Sequence, residues 1–196
     1  LLFLPNLQIA HEANLPRGTR RLARLLMFTD GLRTGAFHFT WAIALFITLG
    51  SSYAAYGGAL SLAGLVGAVA GLYIGKSIDL GNGRRAAQIG FAVLTVAVIA
   101  RAFGYPYVWS AVLANALAAI AWPIYETAFT ARVYALAQLS PCPLRFHIVA
   151  EGGWDLGTAT ACLTAAGLIW LGLSFFWPLM LALVGCALGY WVVTGS

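Results

Sequence analysis

The organisation of the chain is decided by residues 75–85, which read Gly75-Lys-Ser-Ile-Asp-Leu-Gly-Asn-Gly-Arg-Arg85. This polar and basic stretch separates two long apolar runs, residues 53–74 and 86–100. A short, glycine-bearing, basic turn between two segments of membrane-spanning length is typical of a loop on the cytoplasmic side of a membrane. The rest of the chain is therefore placed relative to this loop.

The composition of the chain excludes an ordinary soluble domain. Of its 196 residues, 61% are hydrophobic and 9% are charged, whereas soluble domains carry about 25% charged residues. Lipid is therefore the expected solvent for most of the surface. The net charge of +5 comes from basic residues beside apolar runs, which favours the lipid bilayer over nucleic acid as a partner. Cys142, Cys162 and Cys186 lie far apart, without the spacing of a metal site or a disulfide framework.

Six apolar runs are long enough to cross a membrane as helices, which takes about 20 residues each. They are predicted at residues 28–49, 53–74, 86–103, 107–136, 147–173 and 175–194. The runs are continuous and do not alternate, so helices are favoured over a barrel. The predicted fold class is an all-α membrane protein with a bundle at residues 28–196. Residues 1–27 are predicted to be a basic cytoplasmic linker of amphipathic character, which lies along lipid headgroups or is simply solvated.

The basic residues predict the orientation of this bundle. With the opening loop in the cytoplasm, ten of them fall at or near the inner side and Arg101 alone falls at the outer side. This asymmetry puts both termini in the cytoplasm. The ten are Arg17, Arg20, Arg21, Arg24, Arg33, Lys76, Arg84, Arg85, Arg132 and Arg145. Aromatic residues near the outer helix ends agree with this orientation: Tyr53, Tyr56, Tyr105, Tyr107, Trp109, Trp170 and Trp177.

The second predicted helix carries three glycines one turn apart, Gly67, Gly71 and Gly75. Helices in lipid associate through close packing, and small residues on one face allow that approach. The spacing therefore predicts that another helix packs against this face.

Glu126 is the deepest ionisable residue in the predicted spans. It follows Pro123, which removes a backbone donor and tends to kink a helix, and it precedes Arg132. A bare carboxylate at such a depth costs at least about 2.5 kcal/mol on insertion scales. Two interpretations stay open: Glu126 couples protons or contacts substrate, or it is a partner for Arg132 or for another buried polar group.

Glu151 and Asp155 share one face of the fifth predicted helix near its inner end. Two acids on one face repel each other unless nearby basic groups neutralise their charge. An ion-pair cluster with basic residues of the inner side is expected, and two solvated acids at the interface are the alternative.

Other polar residues within the predicted spans allow more than one role. Asp30 and Arg33 are spaced to pair at the entry to the first helix. His38 is either a hydrogen-bonded polar residue or a proton relay. Trp41, Asn115 and Trp122 fall near the middle of the membrane, where they either line a substrate cavity or serve packing and helix–helix hydrogen bonds.

The opening stretch resembles the signature loop of the major facilitator superfamily. The matching residues are Gly75, Asp79, Gly83, Arg84 and Arg85. In this chain the distance from Asp79 to Gly83 is one residue longer than in the family, and Leu80 stands where the family often has arginine. A second, looser similarity covers residues 145–157, at the inner end of the fifth predicted helix.

The resemblance implies one six-helix half of a twelve-helix transporter, with the basic segment at residues 5–27 as the linker between halves. This chain would then be the C-terminal half, and its partner would be the other half or another membrane chain. In the family the acid of the loop caps a neighbouring helix and an arginine pairs with an acid of the inner face. Asp79 would be the capping acid, Arg84 or Arg85 the pairing base, and Glu151 or Asp155 the partner.

The expected function is that of a secondary transporter that moves a small solute by alternating access, with a cytoplasmic gate at residues 75–85. The expected location is a bacterial inner membrane. A membrane assembly factor or scaffold that keeps the fold without transporting is the alternative. The sequence contains no Ser/His/Asp set, metal cluster or phosphate-binding loop, so neither an enzyme nor a cofactor is expected.

Overall fold

The computed structural model describes residues 15–78 and 83–195, and it describes the side chains of these residues except at 73–87, 194 and 195. Throughout this part of the chain the secondary structure is helical and no strand is present. The elements are α1 (Arg17–Thr34), a π-helical segment (Gly35–Thr40), α2 (Trp41–Thr48), α3 (Tyr53–Ile78), α4 (Gly83–Gly104), α5 (Val108–Gln138), α6 (Pro143–Trp170) and α7 (Phe176–Gly195). The predicted all-α class is confirmed.

The first helix differs from its prediction at its start. Helical structure begins at Arg17, not at residue 28, and runs without a break through the π-helical segment to Thr48. Residues 17–27 are therefore part of the first helix, and their role as a linker stays a prediction. This segment is amphipathic, since Ala23 and Leu26 are buried whereas its arginines are exposed. The other predicted helices end within a few residues of the observed ones.

Consecutive helices run in alternating directions, as the contacts between them show. Gly90 lies against Tyr125 and Gly104 against Ser110, so α4 and α5 are antiparallel. At one end of the bundle, the hydroxyl of Thr48 donates to the carbonyl of Tyr105 over 2.7 Å. The ring of Tyr105 packs in turn on Phe175, with 6.1 Å between centroids. The turns after α2, α4 and α6 therefore meet at this end, where the sequence predicted the aromatic residues to lie.

Three of the described helices are long and apolar enough to cross a membrane: Tyr53–Leu72, Val108–Gln138 and Phe176–Val193. They fall in the second, fourth and sixth predicted spans. Large apolar side chains point away from the bundle on several helices, among them Leu65, Leu113 and Leu163. Such a surface suits lipid better than water.

The three-glycine face predicted on the second span is confirmed at Gly67 and not at Gly71. A Cβ at Gly67 would lie 3.1 Å from the carbonyl oxygen of Ala119, so α3 does approach α5 there. A Cβ at Gly71, one turn later, would meet nothing within 4 Å, and the environment of Gly75 lies outside the described residues. The contact of α3 with α5 at Gly67 therefore does not extend to a close approach at Gly71.

The closest helix pair is α1 with α6, whose backbones meet through glycines of both helices. A Cβ at Gly31 would clash with the carbonyl of Trp154, and a Cβ at Gly157 would clash with the carbonyl of Phe28. Both helices carry two glycines four residues apart, Gly31 with Gly35 and Gly153 with Gly157. This spacing places small residues on one face and lets the two backbones touch.

Candidate functional site

A buried ion pair within α1 is joined to α5 by a hydrogen bond. The guanidinium of Arg33 donates to Oδ1 of Asp30 from Nη2 over 2.6 Å and from Nε over 3.1 Å. The hydroxyl of Tyr125 donates to the same oxygen over 2.8 Å. The predicted pairing of Asp30 and Arg33 is confirmed, but Arg33 is 0% exposed and Asp30 is 8% exposed. The pair therefore belongs to the core of the bundle and not to its entry.

Aromatic rings surround the rest of the Arg33 guanidinium. Its central carbon lies 4.9 Å from the ring centroid of Trp122 and 4.6 Å from that of Tyr125. Cation–π contacts of this kind offset part of the cost of removing the charge from water. Space for the Arg33 backbone depends on α7, since a Cβ at Gly185 would lie 2.7 Å from the Arg33 nitrogen. Within the described residues, Nη1 of Arg33 has no hydrogen-bond acceptor.

Arg101 is a second arginine in the interior. Its Nη1 donates to the carbonyl of Phe37 over 2.5 Å, and its Nη2 donates to Oδ1 of Asn115 over 3.2 Å. Its guanidinium also lies over the rings of Phe37, at 4.0 Å, and Trp41, at 4.8 Å. The sequence placed Arg101 at the outer side because its backbone lies one turn from the end of α4. Its side chain, however, reaches back to Asn115, two turns or about 10 Å inside α5.

The π-helical segment shapes this part of the site. A π-helical turn contains more residues than an α-helical turn and is often found at functional sites. The hydroxyl of Thr40 donates to the carbonyl of Gly35 over 3.0 Å within the segment. The ring of His38 packs edge-on against Trp122, with 4.4 Å between centroids. The segment thus presents both the Phe37 carbonyl and the His38 ring to the interior.

Asn115 connects four helices by hydrogen bonds. Besides the bond from Arg101 on α4, its Oδ1 accepts from the indole nitrogen of Trp41 on α2 over 2.9 Å. Its Nδ2 donates to the carbonyl of Ala59 on α3 over 3.4 Å. Trp41 and Asn115 thus form a hydrogen bond between helices, which is one of the two roles that the sequence allowed for them.

A cavity of 390 Å³ lies between the π-helical segment, α3, α4 and α5, and we call it the basic cavity. Three predicted site residues line it, His38, Asn115 and Trp122, and Arg101 lines it as well. The remaining wall comes from α3 and α5: Leu60, Ala63, Gly64, Gly67, Ala118, Ala119 and Pro123. Two basic side chains at one part of the wall and an apolar surface elsewhere suit a ligand with a negatively charged end.

A second cavity, of 320 Å³, lies toward the opposite end of the bundle, and we call it the acidic cavity. Its wall includes Asp30, Glu126 and Glu151 together with His147 and Tyr134. Oε1 of Glu126 accepts a hydrogen bond from Thr130 over 3.2 Å. Glu126 and Glu151, which are far apart in the sequence, therefore border one space. The described residues include no group of three or more His, Cys, Asp or Glu side chains placed to hold a metal ion.

Other predicted site residues do not join these two cavities. Arg132 is half-buried on α5 and Asp155 is exposed on α6, and neither lines the acidic cavity or the basic cavity. Asp79 lies outside the described residues, as do the side chains of Arg84 and Arg85 and the environments of Gly75 and Gly83. The predicted gate thus stays a prediction.

Two residues at the centre of the arrangement were not predicted as site residues, Tyr125 and Arg101. Arg101 carried a signal in the sequence, since it was the single basic residue on the side that the other ten avoid. Tyr125 stands next to Glu126 and carried no comparable signal.

No model of a known protein family matches the chain, and neither a curated protein nor a solved structure matches it.

Proposed function

We propose that the chain is one six-helix bundle of a secondary transporter of the major facilitator type and moves a small solute across a membrane by alternating access. The observation that carries the proposal is the row of buried ionisable groups between the two cavities. Asp30 and Arg33 lie beside the acidic cavity, and Arg101 and His38 lie beside the basic cavity. Ionisable residues within membrane helices are costly, and they commonly mark the paths of substrates and ions.

The loop at residues 75–85 supports the proposal independently, because its sequence resembles the signature loop of that family. In the proposed mechanism, Asp79 and Arg84 or Arg85 hold the cytoplasmic side closed by contact with an acid of α6, Glu151 or Asp155. Release of this contact lets the bundle rock against a second bundle about a site near the midplane. That second bundle is a further six-helix half or another membrane chain, and the membrane is a bacterial inner membrane with both termini of the chain in the cytoplasm.

The proposal is tested by uptake into membrane vesicles from the native host, where any partner bundle is present. Vesicles with and without the chain are compared on a panel of labelled solutes under imposed ion gradients. Asp79→Asn is expected to abolish or strongly bias uptake while the amount of inserted protein stays the same, because the gate loses its charge. Unchanged uptake in this variant would exclude the gate, and no chain-dependent uptake of any solute would exclude transport.

A scaffold function is the second candidate, and one observation favours it. Only 11% of the apolar window Tyr53–Leu72 on α3 is buried, and a Cβ at Gly57, Gly58 or Gly64 would meet nothing within 4 Å. A helix face of small residues with open space suits close packing with a helix of another protein. Photo-crosslinking from position 58 in host membranes, read together with vesicle uptake, distinguishes the candidates, since a scaffold gives a protein adduct in stoichiometric yield, supports no chain-dependent uptake and is indifferent to Asp79→Asn.

A further inference from the structure

The basic cavity holds a positive charge that no described acidic residue neutralises. Arg101 is 5% exposed, and in the described part of the chain no acidic residue forms an ion pair with it. The acids described there are Asp30, Glu126, Glu151 and Asp155. Removing one partner of a buried pair is strongly destabilising, because a lone buried charge remains. Among the described residues, Arg101 is such a lone buried charge in the unsubstituted chain.

The hydrogen bonds of Arg101 leave one nitrogen of its guanidinium group without a partner among the described residues. Nη1 and Nη2 are engaged by Phe37 and Asn115, whereas Nε has no acceptor among the described residues. Nε2 of His38, on the same cavity wall, also lacks a partner there. Buried polar groups are normally hydrogen-bonded, so two buried nitrogens without partners beside one cavity indicate that a partner is supplied from outside the described residues.

The rest of the wall limits the chemistry of that acceptor. Apart from His38, Arg101 and Asn115, the lining is apolar or glycine, including Leu60, Ala63 and Trp122. Such a surface cannot satisfy a ligand with several charges, because each unpaired charge would be desolvated against hydrocarbon. One uncompensated arginine balances one negative charge.

We infer that the basic cavity binds an apolar monocarboxylate, with the carboxylate at Arg101 and His38 and the apolar body against α3 and α5. That this anion is the transported substrate depends on the function proposed above, but its binding in the cavity does not require transport. The cavity volume of 390 Å³ lies within the range of about 300–1,000 Å³ that small-molecule sites occupy.

The binding test uses benzoate as the probe and benzamide as its neutral counterpart of the same shape. Calorimetric titration of the full chain in lipid nanodiscs is expected to show saturable benzoate binding. Benzamide is expected to bind at least about tenfold more weakly, because it does not neutralise Arg101. Equal affinity for both compounds, or no benzoate binding by the folded chain, would overturn the inference.

Variants locate the binding within the cavity. Arg101→Gln is expected to weaken benzoate binding at least about tenfold, whereas Arg101→Lys keeps the charge and part of the affinity. Because Arg101 also holds helices together, a second variant is needed that leaves it in place. Gly64→Leu fills the cavity from α3, where a Cβ meets nothing within 4 Å, and is expected to block binding. Gly71→Leu is the matched control, since Gly71 is equally open but does not line the cavity.

The outcomes separate this inference from the proposed function. Binding that Gly64→Leu removes, together with absence of any uptake into vesicles, would support the site and exclude transport. Uptake that neither Arg101→Gln nor Gly64→Leu changes would support transport and exclude the site. Benzoate binding that survives Gly64→Leu in a folded protein would likewise exclude the site.

Discussion

At the scale of single residues, the ion pair of Asp30 and Arg33 shows how the bundle tolerates charge. Oδ1 of Asp30 accepts from Arg33 and from the hydroxyl of Tyr125. The faces of Trp122 and Tyr125 cover the guanidinium. Desolvation of a charge in a protein interior costs several kcal/mol for each ion, and attraction within the pair repays it only when the geometry is good and the remaining groups are bonded. We therefore expect the two charges together to change the free energy of unfolding little, whereas either charge alone would lower it.

Asp30→Asn is expected to lower the free energy of unfolding by about 3–5 kcal/mol, because Arg33 then stays buried without its counter-ion. The double variant Asp30→Leu with Arg33→Met removes both charges and is expected to recover most of the loss. Thermal unfolding of the chain in nanodiscs compares the three proteins. A double variant that is no more stable than Asp30→Asn would show that the pair is net stabilising.

At the same scale, Glu126 lines the acidic cavity, and its two interpretations, proton coupling and pairing with a polar group, both stay predictions. Its Oε1 accepts a hydrogen bond from Thr130, and the residues that line the space around it include Asp30, Tyr134, His147 and Glu151. In the proposed transporter, Glu126→Gln is expected to remove the pH dependence of uptake and to leave substrate exchange intact, because the amide cannot carry a proton. Vesicle uptake across a pH series measures this, and retained pH dependence would contradict the role.

At the scale of helices, the pair α1 and α6 depends on glycine. Gly153 lies so close to the backbone of Arg24 that a Cβ would clash with its carbonyl. Gly152, the preceding residue, has open space around its Cβ position. Gly152 and Gly153 are adjacent on α6 and have the same helix propensity, so substitutions at the two positions can be compared directly.

Gly153→Ala is expected to destabilise the chain by about 1–3 kcal/mol, because α1 and α6 must separate to admit the methyl group. Gly152→Ala is expected to be neutral or to stabilise by up to about 1 kcal/mol, since alanine favours a helix over glycine. Thermal unfolding of the two variants side by side measures the difference. Equal stabilities would mean that α1 and α6 do not pack through Gly153.

At the scale of the whole molecule, the alternation of the helices brings the turns after α2, α4 and α6 to one end. Exposed aromatic residues cluster there, with Tyr53 84% exposed and Trp170 86% exposed. The arginines at the start of α1 lie at the other end, and they are exposed as well. Aromatic rings suit membrane interfaces, and basic residues favour the cytoplasmic side. This distribution supports the proposed orientation.

The orientation can be tested by labelling with a membrane-impermeant maleimide. In a chain whose only cysteine is Ser52→Cys, intact cells are expected to be labelled, because this residue lies in the turn after α2. In a chain that keeps only Cys142, between α5 and α6, labelling is expected only after the cells are made permeable. The reverse pattern would invert the proposed topology.

The residues of the site show which of its features sequence patterns can predict. The pairing of Asp30 with Arg33 was predicted because residues three apart share a helix face, which is a local property. His38, Asn115 and Trp122 were identified as polar or broad groups at depth, but their meeting in one cavity depends on how separate helices rotate. The glycine face of α3 meets α5 at Gly67 but not at Gly71, since spacing identifies a face but not its neighbour.

The sequence by itself determined that the chain is helical, rich in lipid-compatible surface and asymmetric in charge, because run length, hydropathy and flanking charge are local along the chain. The tertiary structure alone decided that Arg101 turns inward to Phe37 and Asn115. It also decided that Glu126 and Glu151 border one cavity, and that α1 packs on α6. These features join residues far apart in sequence, and they follow from the packing of side chains between helices, which no single helix specifies.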